Sequence, residues 1–227
     1  MTDISPEDKV YIIAANLDAF LKQQVSSVSS ATTPITPKVA FKVLTFRESL
    51  SQRTLELCQG ALDSIKSGNF LSGILLARAS LECAAAFHFL TRKLRLCVEN
   101  DSVQKLDSVA MRLLLGTRWE DWEFQSYNVI SMLEDADKEI PGILQQYKNL
   151  SEYCHPNYNG VAKLFSNHTR LGEAEIGRYM TGTKEISLVA INALYLSLMT
   201  YEYCYNSSAD YLPKIVELCA RDLEQSH

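Results

Sequence analysis

Apolar residues recur at intervals of three and four along most of the chain, which is the spacing that places them on one face of an α-helix. A first helix is predicted near residues 6–25. A second is predicted at 38–66, where the apolar series begins at Phe41 and ends at Ile65. Strand-like alternation occurs only near 161–165. The pattern predicts an all-α protein.

Residues 69–96 are apolar on nearly every side as far as Thr91, which indicates a helix enclosed by other helices. We interpret residues 70–96 as the central helix of a helical bundle. Residues 185–206 form a second apolar segment without Lys or Arg. Polar residues such as Asn192 within it favour a buried helix over a membrane span.

Shorter apolar patterns complete a bundle of about six or seven helices. They are predicted at 101–115, about 143–155 and, after Ser207 and Ser208, 211–224. Residues 26–37 are a Ser/Thr/Pro run without an apolar period, which predicts a flexible connector. No other segment has the composition of a linker, so we expect residues 1–227 to form a single helical domain.

The composition excludes several classes of protein. The chain has 227 residues with 47% hydrophobic content and a formal net charge of −5, which is typical of a folded globule and not of a general polyanion binder. The six cysteines lie apart, without a CxxC pair or a secretory leader, so we expect reduced thiols and a cytoplasmic protein without a membrane anchor. Metal and nucleotide motifs are missing, and we expect no metal and no cofactor.

One charged pair stands out on the central helix. Arg78 and Glu82 are four residues apart and share a stripe with Leu71, Leu75 and Leu81, so the pattern predicts that both are largely buried. A buried guanidinium must be paired, because an isolated buried charge costs many kcal/mol. The pair is either a packing device that fixes the helix or part of a polar site open to a ligand.

A second polar line follows the helix that ends before Pro156. Tyr147, Ser151 and His155 are spaced four residues apart, and Asn157 follows the proline. A helix C-terminus favours the protonated imidazole, which would suit His155 to proton transfer. The alternative is that His155 only caps the helix.

These residues carry a resemblance that covers roughly residues 71–160. It rests on two segments, LLARASLECAAAFHFL and DADKEIPGILQQYKNLSEYCHPNYNG. They resemble a group of bacterial all-helical proteins with an Arg…Glu helix and a Tyr…Leu-Ser-Glu…His-Pro-Asn signature. The group is distantly similar to the HEPN superfamily, which includes metal-independent RNases with an Arg and a His on one helix. None of the six residues before His155 is an arginine, so Arg78 is its only counterpart here.

Two functions stay open. The resemblance implies an RNA-binding or RNA-cleaving protein in which Arg78 holds a phosphate, Glu82 orients it and His155 is the acid or base, with Tyr147, Ser151 and Asn157 as ligand-binding residues. That cleft would take its positive charge from Lys148, Lys163 and Arg170. The alternative is a non-catalytic module in which an acidic, Trp-rich segment at 119–124 binds a protein partner, although we expect its tryptophans to cover the core. Homodimerisation stays open in both.

Overall fold

The computed structural model describes residues 4–30, 38–179 and 181–224, and helices dominate these ranges. The predominantly α-helical fold is confirmed. The described residues form eight α-helices: α1 Pro6–Lys22, α2 Val39–Lys66, α3 Phe70–Glu99, α4 Leu106–Leu115, α5 Val129–Ala136, α6 Ile143–Cys154, α7 Lys163–Phe165 and α8 Thr183–Glu224. Of the predicted connector, residues 26–30 have neither helix nor strand, and residues 31–37 lie outside the described part of the chain.

The first helix begins where its sequence signals place it. The Ser5 hydroxyl accepts a hydrogen bond from the backbone N–H of Asp8 (3.1 Å), and Pro6 occupies the first helical turn, where its missing N–H costs nothing. Ile13 and Leu17, four residues apart, are buried from solvent. They attach α1 to the body of the protein, where α1 contacts α2 and α8.

The centre of the fold is α3, as predicted. It packs most extensively against α8 and α2, and it also contacts α5 and α6. Phe87 is fully buried, and its ring meets those of Tyr201 (5.2 Å) and Tyr205 (6.4 Å) on α8 edge to face. Burying an aromatic ring of this size contributes about 2–3 kcal/mol, so these contacts bind the two longest helices together.

The length and apolar composition of α3 would also suit a membrane span, and it is the one helix in the described ranges of which this is true. Half of the apolar window is buried inside the protein. An enclosed helix needs the same composition, because neighbours cover it on several sides.

The predicted break at Ser207 and Ser208 is wrong, because α8 runs without interruption over 42 residues. Ser208 is fully buried, and its hydroxyl accepts from the Arg47 side chain (2.8 Å) and donates to the carbonyl of Tyr205 (2.8 Å). These bonds replace the turn that a serine pair favours elsewhere. Pro213 lies inside the helix at an exposed position, where water can reach the carbonyl that it leaves unpaired.

The strand predicted at 161–165 is also wrong. This segment is helical: a π-helical turn at Tyr158–Ala162 leads into α7. The chain then forms an exposed antiparallel hairpin, β1 Ser166–Arg170 and β2 Glu173–Ile176, in which Ser166 pairs with Ile176. The polar strand β1 has no apolar alternation, so hydrophobic periodicity could not reveal it.

Candidate functional site

Four of the predicted site residues meet where α6 packs on α3. The Nε of Arg78 donates a hydrogen bond to the hydroxyl of Ser151 (3.0 Å), and its Nη2 donates to the phenol oxygen of Tyr147. The Tyr147 hydroxyl in turn donates to Oε1 of Glu82 (3.1 Å), which lies 3.5 Å from Nη1 of Arg78. We call Arg78, Glu82, Tyr147 and Ser151 the Arg78 cluster.

The guanidinium of Arg78 is engaged on its face as well as its edges. Its central carbon lies 4.5 Å from the centre of the Tyr147 ring, within the range of a cation–π contact. The Ser151 hydroxyl donates to the carbonyl of Tyr147 (2.8 Å). This bond directs a lone pair of the Ser151 oxygen toward Arg78, from which it accepts. The cluster therefore fixes α6 against α3 by charge-assisted hydrogen bonds.

Arg78 and Glu82 are less buried than predicted. Their side chains are 31% and 30% exposed, because the contact with α6 leaves one side of the pair open to solvent. Tyr147 lies beneath them and is only 5% exposed. Periodicity placed the pair on an apolar face of the helix. It could not predict how much of that face the neighbouring helix would cover.

The surroundings of the Arg78 cluster keep Tyr147 and the neighbouring Cys154 in their neutral, protonated forms. Burial raises the pKa of Tyr147 and the negative charge of Glu82 adds to this, while Arg78 opposes both. Burial likewise raises the pKa of Cys154, against the opposing effect of Arg78. Both groups therefore hold their protons at neutral pH, and neither is a nucleophile or a base there.

His155 lies apart from this network. It follows the last residue of α6 with extended backbone, and its exposed side chain makes no hydrogen bond or ion pair with any residue that the structure describes. A Cβ atom at Gly160 would lie 2.0 Å from the carbonyl oxygen of His155, so only glycine allows this close chain crossing. The chain after α6 thus holds the His155 backbone and leaves its imidazole free.

Asn157 serves the local fold. Its Oδ1 accepts from the backbone N–H of Gly160 (3.0 Å), which caps the π-helical turn, and its Nδ2 donates to Glu152 (3.1 Å). Of the cations expected to make a basic cleft, Lys163 donates to Oε2 of Glu185 at 2.8 Å, and Arg170 lies on the exposed hairpin. These contacts do not bring Lys163 or Arg170 to Arg78.

A second arginine cluster, which the sequence analysis missed, joins α2 to α8. Arg47 forms an ion pair with Glu48, donates from Nε to Ser208 (2.8 Å) and stacks on the ring of Tyr205 at 3.5 Å. The Tyr205 hydroxyl donates to Oε2 of Glu48 (2.9 Å). We call Arg47, Glu48, Tyr205 and Ser208 the Arg47 cluster. The sequence signal that could have revealed this cluster is a pair of adjacent charged residues within an apolar helical pattern.

The Trp-rich segment forms a loop between α4 and α5, and hydrogen bonds at its base close this loop. In this loop, residues 117–125, the backbone N–H of Thr117 donates to the carbonyl of Phe124 (3.0 Å). The indole N–H of Trp122 donates to the carbonyl of Leu115 at the end of α4 (2.8 Å). We call this segment the Trp loop. It is a defined structure and not a loose connection.

The Trp loop exposes its tryptophans, and the expectation that they cover the core is wrong. Trp119 is 74% exposed and Trp122 is 46% exposed. The side-chain amide of Gln125 donates to the carbonyls of both, at 3.0 and 3.2 Å. Both rings are exposed because these hydrogen bonds hold the loop outside the core.

Neither a cofactor nor a relative identifies the site. Within the described residues, no group of three or more His, Cys, Asp or Glu side chains is placed to hold a metal ion, and all six cysteines are free thiols. Comparison with profiles of known protein families, with curated proteins and with solved structures finds no match. The function is therefore inferred from the chemistry of the chain's own residues.

Proposed function

We propose that the chain is a single helical domain that acts as a protein-interaction module and binds a basic segment of a partner through the Trp loop. The observation that carries this proposal is the outward display of Trp119 and Trp122 on a hydrogen-bonded loop. Tryptophan is the residue type most enriched among the side chains that dominate binding energy at protein interfaces. Burying one such ring against a partner contributes about 2 kcal/mol.

The hydrogen bonds of the Trp loop lower the cost of binding. The backbone bond from Thr117 to Phe124 and the two bonds from Gln125 hold the loop in one shape before a partner arrives. Ordering a loop or side chain on binding costs about 0.5–1.5 kcal/mol for each group immobilised. A loop that is already ordered avoids much of this cost.

The charge of the Trp loop selects the partner's chemistry. Glu120, Asp121 and Glu123 are all exposed, and none has an ion-pair partner among the residues that the structure describes. Lys or Arg side chains would meet these carboxylates and could also stack on the indole faces. A segment rich in Lys and Arg therefore complements the loop in charge.

The Arg78 cluster supports a non-catalytic function. The Arg78 guanidinium already contacts Ser151, Tyr147 and Glu82, so a phosphate would have to compete with a carboxylate for it. The Arg47 cluster has the same four residue types, and its Arg, Glu and Ser are buried. Packing alone therefore accounts for this set of side chains.

Intrinsic fluorescence tests the proposal directly, because the chain has two tryptophans and both lie in the Trp loop. The probe is a synthetic peptide of alternating Lys, Arg and Gly, with a peptide in which Glu replaces the cations as its counterpart. We expect a saturable change in emission with the basic peptide only. The change should weaken about tenfold or more in Trp119→Ala, in which Trp122 remains as the reporter.

Tyr11→Ala is the matched control, because Tyr11 on α1 is 76% exposed and lies outside the loop. It should bind the basic peptide as the parent does. Equal responses to the two peptides, or equal weakening in Tyr11→Ala and Trp119→Ala, would refute the proposal.

Metal-independent RNA cleavage of the HEPN type is the second candidate. One observation favours it: His155 has a free, exposed imidazole one helical turn after Ser151, which binds Arg78. The imidazole could take the proton of a ribose 2′-hydroxyl without a metal. Incubation with mixed RNA in EDTA, beside His155→Ala, tests this. Cleavage that the substitution abolishes would support it, and no cleavage, or equal cleavage, would remove it.

A further inference from the structure

A cavity of about 220 Å³ opens between α2, α3 and α4, and neither Trp119 nor Trp122 lines it. Its polar lining includes Arg53 from α2, Glu82 and Cys83 from α3, and Arg112 from α4. Its apolar wall is formed by Phe46, Leu50, Ala79, Ala86, Leu113 and Met132. The cavity thus combines charged groups with an apolar surface, as small-molecule sites do.

The two arginines in this cavity have no carboxylate partner among the described residues. The Nε of Arg112 donates to the carbonyl of Gln125 (2.9 Å), and its guanidinium lies 4.0 Å from the centre of the Tyr127 ring. The terminal amino groups of Arg112 donate to no residue in the described ranges. Arg53 is exposed and takes part in no ion pair there, and its side chain hydrogen-bonds the Cys83 thiol. Several guanidinium N–H donors therefore remain available.

Glu82 does not cancel this charge, because Arg78 already pairs with it from the α6 side. The Cys83 thiol lies in the same cavity wall. Burial raises its pKa, and the opposing effect of Arg53 is larger than the effect of Glu82, which raises it further. Two guanidinium groups therefore line the cavity beside one carboxylate that is already paired, although the whole chain carries −5.

We propose that this cavity binds a small ligand with an oxyanion group and an apolar body, the oxyanion being held by Arg53 and Arg112. Guanidinium groups present paired N–H donors that match a phosphate or carboxylate, and they keep their charge at any physiological pH. The apolar body lies against the wall formed by Leu50, Leu113 and Met132. This proposal goes beyond partner binding by the Trp loop and does not rest on it.

The volume limits the size of the ligand. About 220 Å³ is smaller than the roughly 300–1,000 Å³ of typical drug-sized sites. A single ring or a short chain with one phosphate or carboxylate fits this space. Phosphate monoesters and carboxylates both present an oxyanion to the two guanidinium groups, and binding of matched probes distinguishes them.

Binding is measured by isothermal titration calorimetry with phenyl phosphate and benzoate, and with inorganic phosphate and phenol as partial ligands. We expect saturable binding of phenyl phosphate or benzoate, and weaker binding of both partial ligands, since each lacks either the apolar body or the charge. Tighter binding of phenyl phosphate would assign a phosphate monoester, and tighter binding of benzoate a carboxylate.

Arg53→Gln should weaken the preferred probe about tenfold or more, because it removes charge-assisted hydrogen bonds to the oxyanion. Arg53 is exposed, so this variant should keep the fold, which circular dichroism checks. Arg170→Gln, on the hairpin, makes the same charge change outside the cavity and should bind as the parent does. No saturable binding of either ring probe up to millimolar concentrations, or equal weakening in the two variants, overturns the proposal.

Discussion

The two arginine clusters have the same residue types and differ in burial. In each, an Arg and a Glu on one helix meet a Tyr and a Ser on another, the Arg Nε donates to the Ser hydroxyl, and the Tyr hydroxyl donates to the Glu. The side chains of Arg47 and Glu48 are 7% and 10% exposed, whereas those of Arg78 and Glu82 are 31% and 30% exposed.

This comparison shows that the same hydrogen bonds carry different energetic weight. Water can solvate Arg78 and Glu82 if one of them loses its partner, so the cost of disruption is moderate. Arg47 and Glu48 have no such alternative, and an unpaired charge at their site stays desolvated. Substitutions in the Arg47 cluster are therefore expected to have larger effects than substitutions in the Arg78 cluster, which contains the predicted site residues.

Arg47→Met should have the largest effect, a loss of about 3–5 kcal/mol in the free energy of unfolding, because it leaves Glu48 buried without its partner. Urea denaturation followed by circular dichroism measures this. In the double variant Arg47→Met/Glu48→Leu the loss should be smaller than the sum of the two single losses. Additive losses would show that the two side chains are not coupled.

Alkaline pH should destabilise the protein through Tyr201, which lies beside the Arg47 cluster and shares a hydrogen bond of 2.8 Å with Ser51. Burial raises the pKa of Tyr201 to about 12. The ordinary pKa of tyrosine is about 10, so below pH 10 Tyr201 keeps its proton in both the folded and the unfolded state. Its contribution to the free energy of unfolding is then complete. Above that pH the unfolded state ionises first, and stability falls as the pH rises toward 12.

The expected loss from Tyr201 is about 2–3 kcal/mol over that interval. Urea denaturation at a series of pH values measures it. Tyr201→Phe removes the ionisable group, so its stability should depend less on pH over the same interval. A parent and a variant with the same pH dependence would contradict the assignment to Tyr201.

Arg78→Met should cost less, about 1–2 kcal/mol, because solvent reaches both charged partners and replaces part of what is lost. The comparison with Arg47→Met is made at the same pH and salt concentration. A loss for Arg78→Met equal to that for Arg47→Met would mean that burial does not set the difference between the clusters.

His155→Ala should have the smallest effect, within about 0.5 kcal/mol, since the exposed imidazole has no hydrogen-bond partner among the described residues. Thermal and urea denaturation beside the parent check this. A loss above 1 kcal/mol would show that His155 belongs to the structural network of α6.

The chain's own pattern determined the helices, because helical periodicity and local capping depend on residues close in sequence. Apolar spacing predicted a first helix from near residue 6, where α1 begins, and the all-round apolarity of residues 69–96 identified α3 as the central helix. Helix α5 was missed, since it has only eight residues and periodicity needs a longer window.

The tertiary structure decided which charged and aromatic groups are buried. Spacing placed Arg78 and Glu82 on an apolar stripe of the central helix. Only the packing shows that α6 covers them in part and that α8 helps to bury Arg47 and Glu48. The exposure of Trp119 follows from loop hydrogen bonds that no periodicity contains. Periodicity tells which face of a helix is apolar, whereas burial depends on neighbours that are distant in sequence and meet only in the folded chain.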